Sequence, residues 1–296
     1  MKNLFCLKNK IDYHPAYRNI VEKKSPLAIK AKEYYQNLYE QFIQLNCEET
    51  NFLDGVKKQW HSRIWEMYFT CKLNDLDCKV SCPKGNAPDI KLKISDQVIW
   101  IECTTLSKGD KAITEHEDEE LHTLYDEDYI LRITSAMDSK YKQINAHIKS
   151  GVIKENDIVL IAINTGELML TDIAQHDYPL IQKALYGIGG MTYNFTTKKT
   201  KNLHRPLVAN SNDAKIKTNL FTTKNYEYIS GVIFSTWKST EIEKNLSDNF
   251  ELTHNLFAKN KLEEGFFKFG TEYIPFEDKD RGEFVKTIHN SNGVSK

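Results

Sequence analysis

Asp89 and Glu102 are the residues whose types and spacing most clearly suggest chemistry. Asp89 follows Pro88 at the start of an alternating segment, and Glu102 directly follows the apolar run Val98-Ile99-Trp100-Ile101. If the two segments pair as a twisted antiparallel hairpin, both carboxylates reach the same end of the sheet. Two carboxylates held close repel unless a cation sits between them. Hard oxygen ligands of this kind suit Mg²⁺ or Mn²⁺. Such an ion activates water and stabilises charge on a phosphate in transfer. Glu66, on the polar stripe of the preceding helix, is placed to add a third ligand. A surface hairpin with a turn aspartate would account for Asp89 alone. It accounts poorly for Glu102, because strand alternation sets Trp100, Glu102 and Thr104 on one face, with Ile99, Ile101 and Cys103 on the other. A carboxylate beside a tryptophan in such a strand calls for a partner.

The elements that must position these groups follow from hydrophobic periodicity. Residues 27–46 carry an amphipathic helical rhythm. A second helix is expected over 54–73, with Val56, Trp60, Ile64, Met67 and Cys71 as its apolar face. Gln59, Ser62, Arg63, Glu66 and Thr70 form a separate polar stripe, which must meet solvent, a cleft or buried partners. The period then changes to two. Residues 77–82 read as a short strand, 84–86 as a turn, and 89–94 with 98–105 as the hairpin. Residues 107–128 form a very acidic connection, the usual composition of a solvated loop. A helix over 128–150, capped by Gly151, leads into the continuous apolar run Ile158 to Asn164, read as a buried parallel strand. That order is an α/β plan with the helix as a right-handed crossover. Ile229 to Thr236 is a further buried strand, and the glycine-rich segment 186–190 reads as a turn.

The 296 residues suffice for one large domain with elaborations: an N-terminal helical extension over 1–53, a core over 54–170 and a C-terminal elaboration over 171–296 packed on it. Formal net charge is −1, which excludes a binder driven by global positive charge but not a protein with a local basic groove. No apolar stretch is long enough to span a bilayer, and the first residues lack the apolar run of a secretory signal. The protein is therefore expected in the cytoplasm, with no membrane partner. Its six cysteines, Cys6, Cys47, Cys71, Cys78, Cys82 and Cys103, are expected as reduced thiols rather than a zinc cluster.

The ordered set of motifs resembles the PD-(D/E)XK nuclease superfamily, and within it a group of bacterial proteins. The matching residues are Arg63-Ile64-Trp65-Glu66 in a helix, Pro88-Asp89 at a strand start, Trp100-Ile101-Glu102 in the next strand, and Leu131-Arg132-Ile133-Thr134-Ser135 in the crossover helix. The likeness covers about residues 60–165. It implies a restriction-endonuclease-like mixed central sheet flanked by helices. It also implies a metal-dependent nuclease in which Glu66, Asp89, Glu102 and the backbone carbonyl of Cys103 hold Mg²⁺ or Mn²⁺. The superfamily pattern places a lysine two residues after the glutamate, where this chain has Thr104.

Helix geometry offers a substitute. At roughly 100° per residue, Ile133, Met137, Tyr141, Ile144 and Ile148 form one apolar stripe of the crossover helix. Lys140 falls about 60° from its centre, with Gln143 and His147 along the same edge, while Lys142 points away. Lys140 and Gln143 are thus candidates to orient the attacking water, and Lys108 is the fallback. A boundary lysine that snorkels to solvent is the plainer account of Lys140.

Arg63 either pairs with Glu66 one turn away or touches a phosphate. Lys198, Lys199, Lys201 and Arg205, in the basic segment 196–224, either track a nucleic-acid backbone or decorate a solvated loop. The first reading is a nuclease acting on DNA ahead of RNA, with homodimer formation open. The second is a catalytically inactive nuclease fold that binds nucleic acid or a protein. A defence or host-directed effector with another substrate is the third.

Overall fold

The computed structural model describes residues 2–5, 13–76, 78–94, 97–106, 126–166, 168, 178–210, 212–242, 244–278 and 282–290. Helices α1 (Pro15–Glu22) and α2 (Pro26–Gln44) each begin on proline, and the Ser25 side chain caps α2 by accepting from the Ala28 N–H. Helices α3 (Phe52–Lys58) and α4 (Trp60–Asp75) stand where one helix was expected. Gln59, at φ −126° and ψ 52°, lies outside helical geometry and ends one helix as it starts the other.

Strands β1 (Val80–Ser81), β2 (Ile90–Ile94) and β3 (Gln97–Thr105) come next, followed by the crossover helix α5 (Glu127–Lys149) and strand β4 (Ile158–Asn164). Helix α6 (Leu180–Tyr186) ends on Gly187, whose φ of 64° is left-handed. The glycine-rich segment is thus a helix cap running straight into β5 (Ile188–Asn194), not a simple turn. Strands β6 (Lys199–His204), β7 (Leu207–Ala209) and β8 (Lys215–Lys217) occupy the basic segment, which is structured rather than a plain loop. The chain closes with β9 (Gly231–Ser235), β10 (Glu251–His254), β11 (Gly270–Asp278) and β12 (Gly282–Asn290).

Among the described residues, eight strands form one mixed sheet in the order β1-β2-β3-β4-β9-β10-β11-β12. The β2–β3 hairpin is antiparallel, with Ile90 opposite Ile101. Strands β3, β4 and β9 are parallel, as their apolar runs require, because both faces of each are covered. One face carries Ile99, Ile101 and Cys103 against the N-terminal helices, with Trp60, Trp65 and Phe69 in the same core. The other face carries Trp100, Ile161 and Phe234 against α5 and α6. The molecule is therefore α/β, a large mixed sheet between two helical layers.

The cysteine expectation needs one correction. Cys47 and Cys82 form a disulfide, because the chain after α2 and the chain after β1 bring their Cα atoms to 4.9 Å. Cys71 and Cys103 are buried free thiols, as expected, and Cys78 is a half-buried one. Cys6 lies outside the described residues. Among the described residues no helix is long and apolar enough to cross a membrane.

Candidate active site

Glu102 lies in the middle of the sheet on the face that α5 covers. Its neighbours in β3, Ile101 and Cys103, face the other way. Trp100, two residues before it on the same face, is fixed by an indole N–H donated to Asp157 at 2.8 Å. Glu102 is itself buried. A buried carboxylate needs a partner, and Lys140 supplies it: Nζ lies 2.7 Å from Glu102 Oε1. The lysine that leans toward the sheet by helical arithmetic does reach the strand. The second oxygen, Glu102 Oε2, is buried with no hydrogen-bond partner.

Asp89 stands one residue before β2, at the edge of the hairpin next to Cys103. Its Oδ2 accepts the Cys103 N–H at 2.7 Å. In an extended strand the N–H and C=O of one residue point to the same side, as ladder pairing requires. The Cys103 carbonyl therefore turns toward the Asp89 edge, beyond the last paired residue of β2.

Glu66 comes from α4, on the opposite side of the strand ends. The polar stripe runs from exposed Gln59 through half-buried Ser62 and Arg63 to buried Glu66 and Thr70, and the Thr70 hydroxyl donates to the Glu66 carbonyl at 2.7 Å. Arg63 Nη1 donates to Glu66 Oε2 at 2.7 Å and lies 3.8 Å from Glu49. Of the two roles open to Arg63, the structure shows the ion pair; Arg63 Nε remains buried without a partner.

The three carboxylates share one electrostatic field. Burial pushes Glu66 up to about 7, and Asp89 adds to this against the pull of Arg63. Burial and then Glu102 push Asp89 up to about 7, opposed by the Cys103 N–H, Lys140 and Arg63. Glu102 is raised by burial, with Lys140 opposing. Three acids thus face two cations, Arg63 and Lys140, which leaves one negative charge in excess when all are ionised. They do not form a finished coordination sphere. Among the described residues, no group of three Asp, Glu, His or Cys side chains is arranged to hold a metal ion. Each acid is instead held by its own donor: Glu66 by Arg63, Asp89 by Cys103 and Glu102 by Lys140.

The remaining sequence candidates fall elsewhere. Gln143 is exposed on α5, and Thr104 is half-buried next to Glu102 on β3. Arg205 is turned inward, its guanidinium 3.0 Å from Asp126 and 3.7 Å from Glu127 at the start of α5. Lys198 is exposed in the β5–β6 turn. Lys108 lies outside the described residues, as do the side chains of Lys199 and Lys201. Sequence reasoning missed Glu49, which reaches Arg63 only because of how the chain folds after α2. It also missed His147 as a buried group: Nδ1 has no partner, and burial and Lys140 lower its proton affinity.

No family model matches the chain, and no curated protein or solved structure matches it either.

Proposed function

We propose that this chain is a metal-dependent nuclease that hydrolyses phosphodiester bonds of nucleic acid, with DNA as the first substrate to test. The observation that carries the reading is the Lys140–Glu102 contact of 2.7 Å beside Asp89. It brings a lysine from the crossover helix to the carboxylates, where the nuclease pattern expects one from β3.

Several features fit a bound cation. Glu102 Oε2 is buried and unpartnered, and the cluster holds one more acid than base. The donor set of carboxylates and a strand-end carbonyl is all hard oxygen, which suits Mg²⁺ or Mn²⁺. Glu66, Asp89, Glu102 and the Cys103 carbonyl would hold the ion. When bound, it supplies Lewis acidity for water and phosphate. Lys140 would stabilise charge on the phosphate and orient water, with Gln143 one turn farther along α5. Arg63 holds Glu66 in place.

The test is a cleavage screen over single- and double-stranded DNA and RNA with Mg²⁺ or Mn²⁺. Cleavage by the wild type and its loss in Asp89→Ala are expected. An Asp89→Ala protein that still cleaves in a metal-dependent way would overturn the assignment of the site. One observation favours a second reading, an inactive binding module: Lys140 and Glu102 neutralise each other directly, and Thr104 provides no second cation. Calorimetry with Mn²⁺ separates the two, since only the first requires the ion to bind.

A further inference from the structure

Helix α5 also borders a cavity outside the carboxylate cluster. One residue past Lys140, Tyr141 lines a cavity of about 400 Å³ between α5 and the segment from β8 to Tyr226. That volume falls in the range of small-ligand sites. Its lining is chemically mixed. Tyr141 and Tyr226 pack with ring centroids 4.7 Å apart and planes at 43°. The Tyr226 hydroxyl bonds Asp138, which fixes the ring against the helix. On the opposite wall, Lys215 and Lys217 alternate on one exposed face of β8, and Asn219 adds an amide. Among the described residues neither lysine has an ion-pair partner, in contrast to Arg205 and Lys183, which both close on Asp126.

We propose that this cavity binds one nucleotide unit of a single nucleic-acid strand. The base lies against the Tyr141–Tyr226 wall, and the phosphate meets Lys215 and Lys217. Aromatic rings with unpaired cations across a groove are what single-strand binding uses, because every base has a π-face and every unit a phosphate. Asp138 on the tyrosine side repels phosphate and so fixes which end of the nucleotide enters. The cavity and the carboxylate cluster draw on consecutive residues of one helix, Tyr141 and Lys140 of α5. The ligand class rests on the nucleic-acid reading above, but the binding needs neither metal nor cleavage.

The test uses a single-stranded deoxythymidine oligonucleotide carrying one 2-aminopurine, without divalent metal. Binding is followed by anisotropy over a salt series and stacking by quenching of the 2-aminopurine. The wild type is expected to bind and quench. Lys215→Glu with Lys217→Glu, both exposed, should weaken binding about tenfold or more and flatten the salt slope by about 0.7, the share of one phosphate on a single strand. Tyr141→Leu should lose most of the quenching while keeping the salt slope. Unchanged affinity and slope in the lysine pair, or unchanged quenching in Tyr141→Leu, would overturn the proposal. If the oligonucleotide binds as expected but no substrate is ever cleaved, the nuclease reading fails and this site stands. If cleavage is seen and the lysine pair leaves binding untouched, the reverse holds.

Discussion

Two buried glutamates sit on opposite faces of the same sheet, and each has a basic partner. Glu272 on β11 lies 3.0 Å from His254 Nε2 on β10 through one oxygen, and its other oxygen accepts the Gly265 N–H at 2.6 Å. Glu102 on β3 meets Lys140 at 2.7 Å through one oxygen, and its other oxygen has nothing. The first carboxylate is complete, and its role is to join two strands to the loop before β11. The second is incomplete in a place where leaving an acceptor buried and unmatched is costly. Glu102 also has acidic neighbours from two other elements, whose ionisation opposes its own. Glu251 on β10 also has a buried, unpartnered oxygen, but its proton affinity is raised by burial alone, whereas Glu102 shares its surroundings with other acids, an arrangement that concentrates at sites that bind ligands.

The largest expected effect breaks the comparison directly. Glu102→Gln should abolish metal-dependent cleavage by about 10³-fold, about 4 kcal/mol in the barrier, with little loss of stability. Glu272→Gln should do the opposite. Its amide replaces a carboxylate that bonds both His254 Nε2 and the Gly265 N–H, and should lower unfolding free energy by about 1–3 kcal/mol while the folded fraction cleaves at the wild-type rate. Equal losses of stability in the two variants, measured by urea unfolding, would show that Glu102 is as structural as Glu272.

How far the sequence reveals this contrast differs for each part. The hairpin and the crossover were legible because β2, β3 and β4 carry period-two or continuous apolar patterns between clear turn signals. Lys140 was legible because a regular 23-residue helix preserves its angular arithmetic from one turn to the next. The pairing of His254 with Glu272 was not, since two parallel neighbours joined through a 15-residue connection leave no local signature. The Cys47–Cys82 bond was hidden for a similar reason: spacing does not give connectivity. The bend at Gln59 was missed because both sides of it keep the same helical period. The three acids were found in order, with Arg63 on Glu66 as one of two readings and Lys140 leaning toward the sheet; the Cys103 N–H on Asp89 was not, because it comes from backbone placement.

A smaller effect sharpens the comparison through pH. Glu66 and Asp89 ionise in the folded protein near 7, against 4.5 and 3.8 for free side chains. Between those values the folded state binds more protons than the unfolded one, so the site's contribution to stability is fullest below about pH 4 and is lost as pH rises toward 7. The fall should be several kcal/mol, since each pKa unit is worth about 1.4 kcal/mol. Glu251, raised to about 7 by burial alone, contributes a fall of the same sign. Two measurements tell them apart. Mn²⁺ should restore stability at pH 8 and do much less at pH 5, where protons compete for the same oxygens. Asp89→Asn should raise the metal-free stability at pH 8, since the amide can still accept the Cys103 N–H without the charge. A Glu251→Gln protein should keep the Mn²⁺ response. If Mn²⁺ stabilises Asp89→Asn as much as the wild type, the ion binds elsewhere.

The smallest expected effect concerns where the lysine comes from. Thr104 shares the Glu102 face of β3, about 6.6 Å farther along the strand, and is half-buried beneath the same helix. A lysine there can swing its ammonium back toward Glu102, because its stem is flexible and its charge is compact. Lys140→Ala should cost most of the cleavage rate and leave both Glu102 oxygens unmatched. Adding Thr104→Lys to that variant should recover about tenfold, about 1.4 kcal/mol, though not the full rate, because the new stem enters from the strand rather than from above it. Adding Thr104→Lys to the wild type should gain nothing, since Lys140 already occupies the contact. Recovery in the double variant alone means that the site needs a cation at Glu102 and is indifferent to which element delivers it. Absence of recovery, with an unchanged fold and intact Mn²⁺ binding, means that Lys140 works through its direction of approach from α5. That would make the crossover helix, rather than β3, the element that decides whether these carboxylates cut.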